Sequence, residues 1–118
     1  MLRERIRTYC QAGENCSRII LQAAAEEYNI SLSQDILTAC SGISGGFGIG
    51  SLCGGLIAAV MVLSFLFDEE TVKEKRIQFF FLAQEKLGAL DCLRLSANDC
   101  GKILEIIGEV LQEVIEMK

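Results

Sequence analysis

The feature that most constrains this chain is a long segment without any charged residue, 36–67, in a sequence that is otherwise rich in charge. Glycines crowd its first half, and only residues 52–67 are predominantly apolar. The length would suit a membrane span, but the flanking charges, Asp35 and Asp68, are acidic, and the usual basic anchors are missing. We therefore expect residues 52–67 to form a helix buried at the centre of a bundle, with a span over 43–67 as the alternative.

Helical periodicity recurs along the rest of the chain, and the alternation typical of strands is almost absent. The clearest case is the last segment, where glutamates separate apolar residues spaced three and four apart. Those apolar residues are Ile103, Ile106, Ile107, Val110, Leu111, Val114 and Ile115. The sequence predicts an all-α fold, a compact single-domain bundle of five or six helices spanning 1–118 around a buried central apolar helix.

Polar residues and glycines mark where these helices begin and end. The opening helix covers residues 2–11, and the next is capped by Asn15 and runs to Tyr28, with Asn29 as a left-handed terminator. A short helix follows to about Cys40. Ser31 or Ser33 caps that short helix. Asp68-Glu69-Glu70 precedes a helix from Thr71 to Leu87, which Gly88 ends. Candidate caps of the last helix are Ser96, Asn98 and Asp99.

Composition excludes several functions. The chain of 118 residues has no His, which removes Ser-His-Asp and Cys-His catalysis and every His-containing metal site. Its net charge of -5 offers no basic face for nucleic acid. The charged N-terminus does not resemble a secretory signal, so we expect a cytoplasmic protein. In that reducing compartment, six cysteines indicate metal or redox chemistry more than disulfide scaffolding.

Three cysteines, Cys16, Cys53 and Cys100, fall at predicted helix starts, where free N–H groups favour the thiolate. Each also begins an apolar stripe, so we expect each side chain to point inward. If consecutive helices run antiparallel, these three starts share one end of the bundle with Cys92. Cys10 and Cys40 should also lie near that end. The alternative is that the cysteines are small buried hydrophobic residues, which we favour for Cys10 and Cys40.

The glycine-rich stretch does not match a phosphate-binding loop, because no Lys-Ser or Lys-Thr follows it and no strand precedes it. We predict instead that Gly48, Gly50 and Gly54 let the backbone approach closely around Cys53 and bind a cofactor there. Close helix packing without any site is the alternative.

With these cysteines and glycines, the sequence resembles the putative redox-active family named for its C-GCAxxG-C-C pattern. The matching residues are Asn15-Cys16, Gly45-Gly46-Phe47-Gly48-Ile49-Gly50, Cys53-Gly54-Gly55-Leu56-Ile57-Ala58, Cys92 and Cys100. The signature departs at Gly55, where the family has Ala, and at Ala58, where it has Gly. The resemblance implies a redox role inferred from the four cysteines, without a settled reaction.

The leading hypothesis is a small thiol protein in which Cys16, Cys53, Cys92 and Cys100 form one site. That site is either a dithiol/disulfide couple, with Cys53 as nucleophile, or a four-thiolate centre for an iron–sulfur cluster or zinc. Its partner would be a redox protein or a small molecule. The alternative is a helical interaction module with structural cysteines, for example a homodimer. Three consecutive aromatic residues of a helix, Phe79-Phe80-Phe81, cannot all face one core, and a partner would bury those that do not.

Overall fold

A computed structural model describes residues 1–11, 15–95 and 99–117. These residues form seven α-helices, and no strand is present among them, so the all-α prediction is confirmed. The helices are α1 (Leu2–Gln11), α2 (Cys16–Tyr28), α3 (Gln34–Ala39), α4 (Gly54–Leu66), α5 (Glu69–Leu87), α6 (Cys92–Leu95) and α7 (Cys100–Glu116). The helix α6 was not predicted, because its four residues are too few to show a period.

Side-chain caps set most of the helix boundaries. The side chains of Asn15, Ser33 and Asp68 each accept a hydrogen bond from a backbone N–H in the first turn of α2, α3 and α5. Asn29 and Gly88 end α2 and α5 in the left-handed conformation, as predicted. Asp99 caps α7, whereas the predicted caps Ser96 and Asn98 lie outside the described residues.

The apolar helix α4 occupies the centre of the bundle. It packs against α2, α5 and α7, and its side chains Leu56, Ala58 and Val62 are fully buried. The helix begins two residues later than predicted, because the chain stays extended through Cys53. Among the described residues, no helix has both the length and the apolar character that crossing a membrane requires. Within the segment 43–67, the alternative span, the α-helix covers only Gly54–Leu66, and a separate glycine-rich turn occupies Gly46–Gly50.

Polar side chains of α1 and α5 attach both halves of α7 to the rest of the bundle. Its first half is tied to α1 by Arg3 and Arg7, which both bind Glu105. Its C-terminal carbonyls are capped by the buried Lys75 of α5, whose Nζ lies 3.0 Å from the Val114 oxygen and 2.8 Å from the Met117 oxygen. α7 is therefore held at both ends.

The predicted aromatic triplet divides between core and surface, as three consecutive positions of one helix require. Phe79 is fully buried, Phe80 is half-buried, and Phe81 is 75% exposed. Phe81 lines a surface groove on α5 with Ile77 and Leu90. An apolar face of α5 is therefore left exposed by the part of the chain that the structure describes.

Candidate thiol site

The chain segments before α4 and α6 bind each other and fix two of the cysteines. Leu52 and Asp91 form an isolated antiparallel bridge. The N–H of Cys53 donates to the Leu90 oxygen at 3.0 Å, and the N–H of Cys92 donates to the Ser51 oxygen at 2.6 Å. These bonds hold the backbone of Cys53 next to that of Cys92, although the two residues are far apart in sequence.

The structure brings four of the predicted site residues together. A cavity of about 40 Å³ is lined by sulfur-bearing and aliphatic side chains only. These are Cys16, Cys53, Cys92, Cys100, Leu95, Ile103 and Leu104. A space of this size holds about one water molecule, so a larger reactant cannot enter it without an opening of the surrounding side chains.

Cys16 and Cys53 are the closely coupled pair. The Cys16 thiol donates a hydrogen bond to the Cys53 sulfur, which lowers the pKa of Cys53 to about 6 despite the opposing effect of burial. The backbone N–H groups of Gly55 and Leu56, at the start of α4, lower it further. The same hydrogen bond, together with burial, raises the pKa of Cys16 well above its ordinary value. Both shifts favour a thiolate on Cys53 over one on Cys16.

The other two cysteines of the cavity are nearer to solvent. Cys92 is half-buried, and its pKa is raised first by burial and then by the neighbouring Cys53 and Cys100. Cys100 is exposed, so the expectation that it points inward was wrong. The reason is its place in the first turn of α7: the buried stripe of that helix begins only at Ile103 and Leu104.

The remaining cysteines do not line the cavity. Cys10 is half-buried. Its pKa is raised mainly by burial and to a smaller extent by the charges of Glu105, Asp99 and Cys100. Cys40 is fully buried and donates to the Ile36 oxygen at 3.5 Å. Cys40 therefore behaves as a structural residue, and Cys10 also lies outside the lining of the cavity.

The three predicted cofactor-binding glycines have different surroundings. A Cβ atom on Gly54 would lie 3.1 Å from the Cys16 sulfur, and one on Gly50 would lie 3.0 Å from the Leu93 Cβ, so both mark close approaches. Gly48 is exposed, and no atom lies within 4 Å of the Cβ position. Only Gly54 contacts a cysteine of the cavity, and the role of all three in cofactor binding stays a prediction.

Of the two departures from the family signature, Gly55 packs against α7 and Ala58 lies in the core. At Gly55, a Cβ atom would come within 2.7 Å of Leu104 and 3.2 Å of Ile107. Leu104 also lines the cavity. The glycine thus lets a bulky leucine approach α4 beside Cys53, a contact that the sequence pattern alone did not reveal. Ala58 is fully buried in the core.

Ligation of a metal was the other chemistry predicted for these four cysteines, and it stays a prediction. In the described ranges 1–11, 15–95 and 99–117, no group of three or more His, Cys, Asp or Glu side chains is placed so that it could hold a metal ion. The four cysteines share one cavity, and within it the pKa values of Cys16 and Cys53 are shifted chiefly by each other.

Comparison with known proteins agrees with the cysteine pattern. No curated protein and no solved structure matches the chain. One family model, described as "Putative redox-active protein (C_GCAxxG_C_C)", matches residues 14–114, which include all four cysteines of the cavity. The chain therefore belongs to the C_GCAxxG_C_C family of putative redox-active proteins.

Proposed function

We propose that this protein is a thiol–disulfide redox protein in which Cys53 is the nucleophile and Cys16 is the resolving thiol. The observation that carries the proposal is the placement of both thiols in one cavity, with Cys53 as the N-cap of α4, where the pKa of Cys53 is lowered and that of Cys16 is raised. The thiolate is the form of cysteine that attacks a disulfide, and a pKa near ambient pH is the most effective for it.

The reaction needs a disulfide as the oxidant. The Cys53 thiolate attacks one sulfur of the substrate disulfide, forming a mixed disulfide and releasing the other sulfur as a thiolate, which takes up a proton from water. Cys16 then loses its proton to solvent and attacks the Cys53 sulfur, and the second substrate sulfur leaves. The protein loses two electrons and the one proton that Cys16 carried, and the two substrate sulfurs become thiols by taking up that proton and one more from solvent.

Cys92 and Cys100 are proposed to connect this pair with the surface. Cys53 is only 7% exposed, whereas Cys100 is exposed and lines the same cavity. A substrate disulfide would therefore reach Cys53 from the side of the cavity that Cys92 and Cys100 line.

The test is to oxidise the reduced protein with excess hydroxyethyl disulfide and map the disulfides by mass spectrometry. We expect a bond between Cys16 and Cys53 that dithiothreitol reverses, and we expect Cys16→Ser and Cys53→Ser each to abolish it. Cys40→Ser is the matched control, since Cys40 is buried outside the cavity, and should keep it. Oxidised protein without a Cys16–Cys53 bond would show that the assignment is wrong.

A second candidate, a homodimeric interaction module, is favoured by the exposed face of α5. Ile77 is 56% exposed and Phe81 is 75% exposed, and both lie on one row of residues spaced four apart. Lys73 and Glu85 continue this row at its two ends. Antiparallel crossing of two α5 helices along such rows would set Ile77 against Phe81 and Lys73 against Glu85 of the second copy.

Sedimentation equilibrium under reducing conditions tests this second candidate. We expect a dimer that Lys73→Glu or Glu85→Lys weakens and that the double variant restores. Ile49→Ser, which removes an exposed apolar side chain outside α5, should leave it unchanged. A wild-type protein that stays monomeric at high micromolar concentration would contradict this role.

A further inference from the structure

The turn Gly46–Gly50 holds an aromatic residue in a conformation that normally requires glycine. Gly45, Gly46, Phe47, Gly48 and Gly50 all have positive φ angles. Phe47, at φ 65°, is the one of these five that carries a side chain. A bulky residue in the left-handed region is strained, and glycine in its place would not be.

Burial does not explain why a phenylalanine stands there. Its side chain is 55% exposed, so it loses much of the stabilisation that a core aromatic gains. Its neighbour Ile49 is 81% exposed. Strained residues that contribute little to packing are commonly found at sites of binding.

The turn is attached directly to the segment that carries Cys92. The Gly50 backbone packs so closely on Leu93 that a Cβ atom there would lie 3.0 Å from the Leu93 Cβ. Ser51, which follows the turn, accepts the N–H of Cys92. Leu93 itself is 73% exposed, and α6 packs on the turn, so the exposed apolar residues Phe47, Ile49 and Leu93 lie on neighbouring segments and define an apolar patch next to the thiol site.

The patch carries no charge of its own. Phe47 and Ile49 belong to the uncharged segment 36–67, and the nearest basic residue in sequence to Leu93, Arg94, lies 3.4 Å from the Asp91 carboxylate. Each half of glutathione disulfide carries charged groups that would have no partner on this patch. A polypeptide with apolar side chains beside its cysteine would cover it favourably.

We propose that Phe47, Ile49 and Leu93 form a substrate-binding patch, which selects disulfides of polypeptides whose cysteines are flanked by uncharged apolar residues. This inference rests on the thiol–disulfide function proposed above and names its substrate class. The cavity of about 40 Å³ is too small for such a substrate, so recognition takes place on the surface and only the sulfur atoms react inside.

The experiment compares three probes with the reduced protein. The first is the disulfide dimer of a capped peptide with leucine and phenylalanine beside its cysteine, the second has glutamates in those two positions, and the third is hydroxyethyl disulfide. The second-order rate constant of protein oxidation is measured for each. We expect the wild-type protein to react about tenfold or more faster with the apolar peptide than with the acidic one, the scale of one partly buried aromatic side chain.

Phe47→Gly is the decisive variant, because it removes the aromatic ring and keeps the backbone conformation accessible. It should abolish the preference for the apolar peptide and leave the rate with hydroxyethyl disulfide unchanged, which also shows that the thiol site is intact. Phe81→Ser, which removes an exposed aromatic residue from α5, is the matched control and should keep the preference.

Two results would overturn the proposal: equal wild-type rates with the two peptides, or a preference that survives Phe47→Gly. Failure of the thiol–disulfide function itself looks different, since none of the three probes would then produce a Cys16–Cys53 bond.

Discussion

The thiol of Cys16, the first residue of α2, donates a hydrogen bond to the sulfur of Cys53, the N-cap of α4. The bond makes the pair asymmetric, because the N–H groups at the start of α4 stabilise a thiolate on Cys53, whereas Cys16 gives its proton to that thiolate. Two thiols that would have the same pKa in solution thus differ in pKa in the folded protein.

Replacing Cys16 tests this asymmetry. Cys16→Ala removes the largest influence that lowers the pKa of Cys53, so that pKa should rise from about 6 towards its ordinary value of 9.0. The measurement is the pH dependence of the rate at which Cys53 reacts with iodoacetamide. Cys40→Ala, at a buried cysteine outside the cavity, should leave the profile in place. An unchanged profile in Cys16→Ala would show that the hydrogen bond does not set the pKa.

The pair should also make stability depend on pH. The pKa of Cys53 is lower in the folded protein, about 6, than its ordinary value of 9.0. The stabilisation from its thiolate is therefore complete above pH 9 and is lost as the pH falls through 6. The raised pKa of Cys16 acts in the opposite sense and removes stability only above pH 9.

We therefore expect the free energy of unfolding of the reduced protein to rise between pH 6 and pH 9, by up to about 1 kcal/mol per pH unit. Urea titrations at four pH values across this range measure it. Cys53→Ser should flatten the slope. A wild-type protein whose stability is level or falling from pH 6 to pH 9 would contradict the assignment of the low pKa to Cys53.

Gly54 controls the position of the Cys16 sulfur. In Gly54→Ala the new methyl group would lie 3.1 Å from that sulfur and 3.3 Å from Cγ2 of Ile43, so both neighbours must move by a few tenths of an ångström. We expect a loss of about 1 kcal/mol in the free energy of unfolding and a higher pKa of Cys53, read from urea titration and alkylation. Gly42→Ala, where no atom lies within 4 Å, is the control, and equal effects of both substitutions would exclude this role for Gly54.

Local signals predicted much of this architecture. Asn15, Asn29 and Gly88 act at the helix ends where sequence reasoning put them, because capping depends on a few neighbouring residues. The gathering of Cys16 and Cys53 followed from their place at helix starts. The exposure of Cys100 did not follow, because it depends on how far other elements cover the first turn of α7, which is a tertiary property.

Other features of the site had no local signal. The contact of Gly55 with Leu104 joins residues that are distant in sequence, and a glycine by itself does not name its neighbour. The positive φ of Phe47 is the opposite case, since local preference argues against it. Only the surrounding turn, closed by the bond from the Ser51 N–H to the Gly46 oxygen, imposes that conformation.

Glu105 should be the most important carboxylate for the attachment of α1 to α7. Hydrogen bonds from Arg7 and Arg3 lower its pKa to about 2 from an ordinary value of 4.5. The stabilisation is therefore present above pH 4.5 and lost as the pH falls towards 2. Because the group is close to solvent, we expect Glu105→Gln to lower the free energy of unfolding at pH 7 by only about 1 kcal/mol.

Urea titration at pH 7 and pH 3 measures this effect, which should shrink at the lower pH. Glu74→Gln, at an exposed position on α5, is the control and should change stability little at either pH. A pH-independent effect of Glu105→Gln would mean that packing, and not the charge, is responsible.

Phe47→Gly should separate stability from substrate selection. Glycine relieves a positive φ that costs a non-glycine residue about 1–2 kcal/mol, while its greater freedom in the unfolded chain offsets part of the gain. The ring is more than half exposed, so little burial is lost. We expect the free energy of unfolding to stay the same or rise by up to about 1 kcal/mol, measured by urea titration. Phe81→Gly makes the same change within the regular helix α5 and should lower it by about 1 kcal/mol. Equal losses in the two variants would show that Phe47 stabilises the fold, and its conformation would then need no explanation in binding.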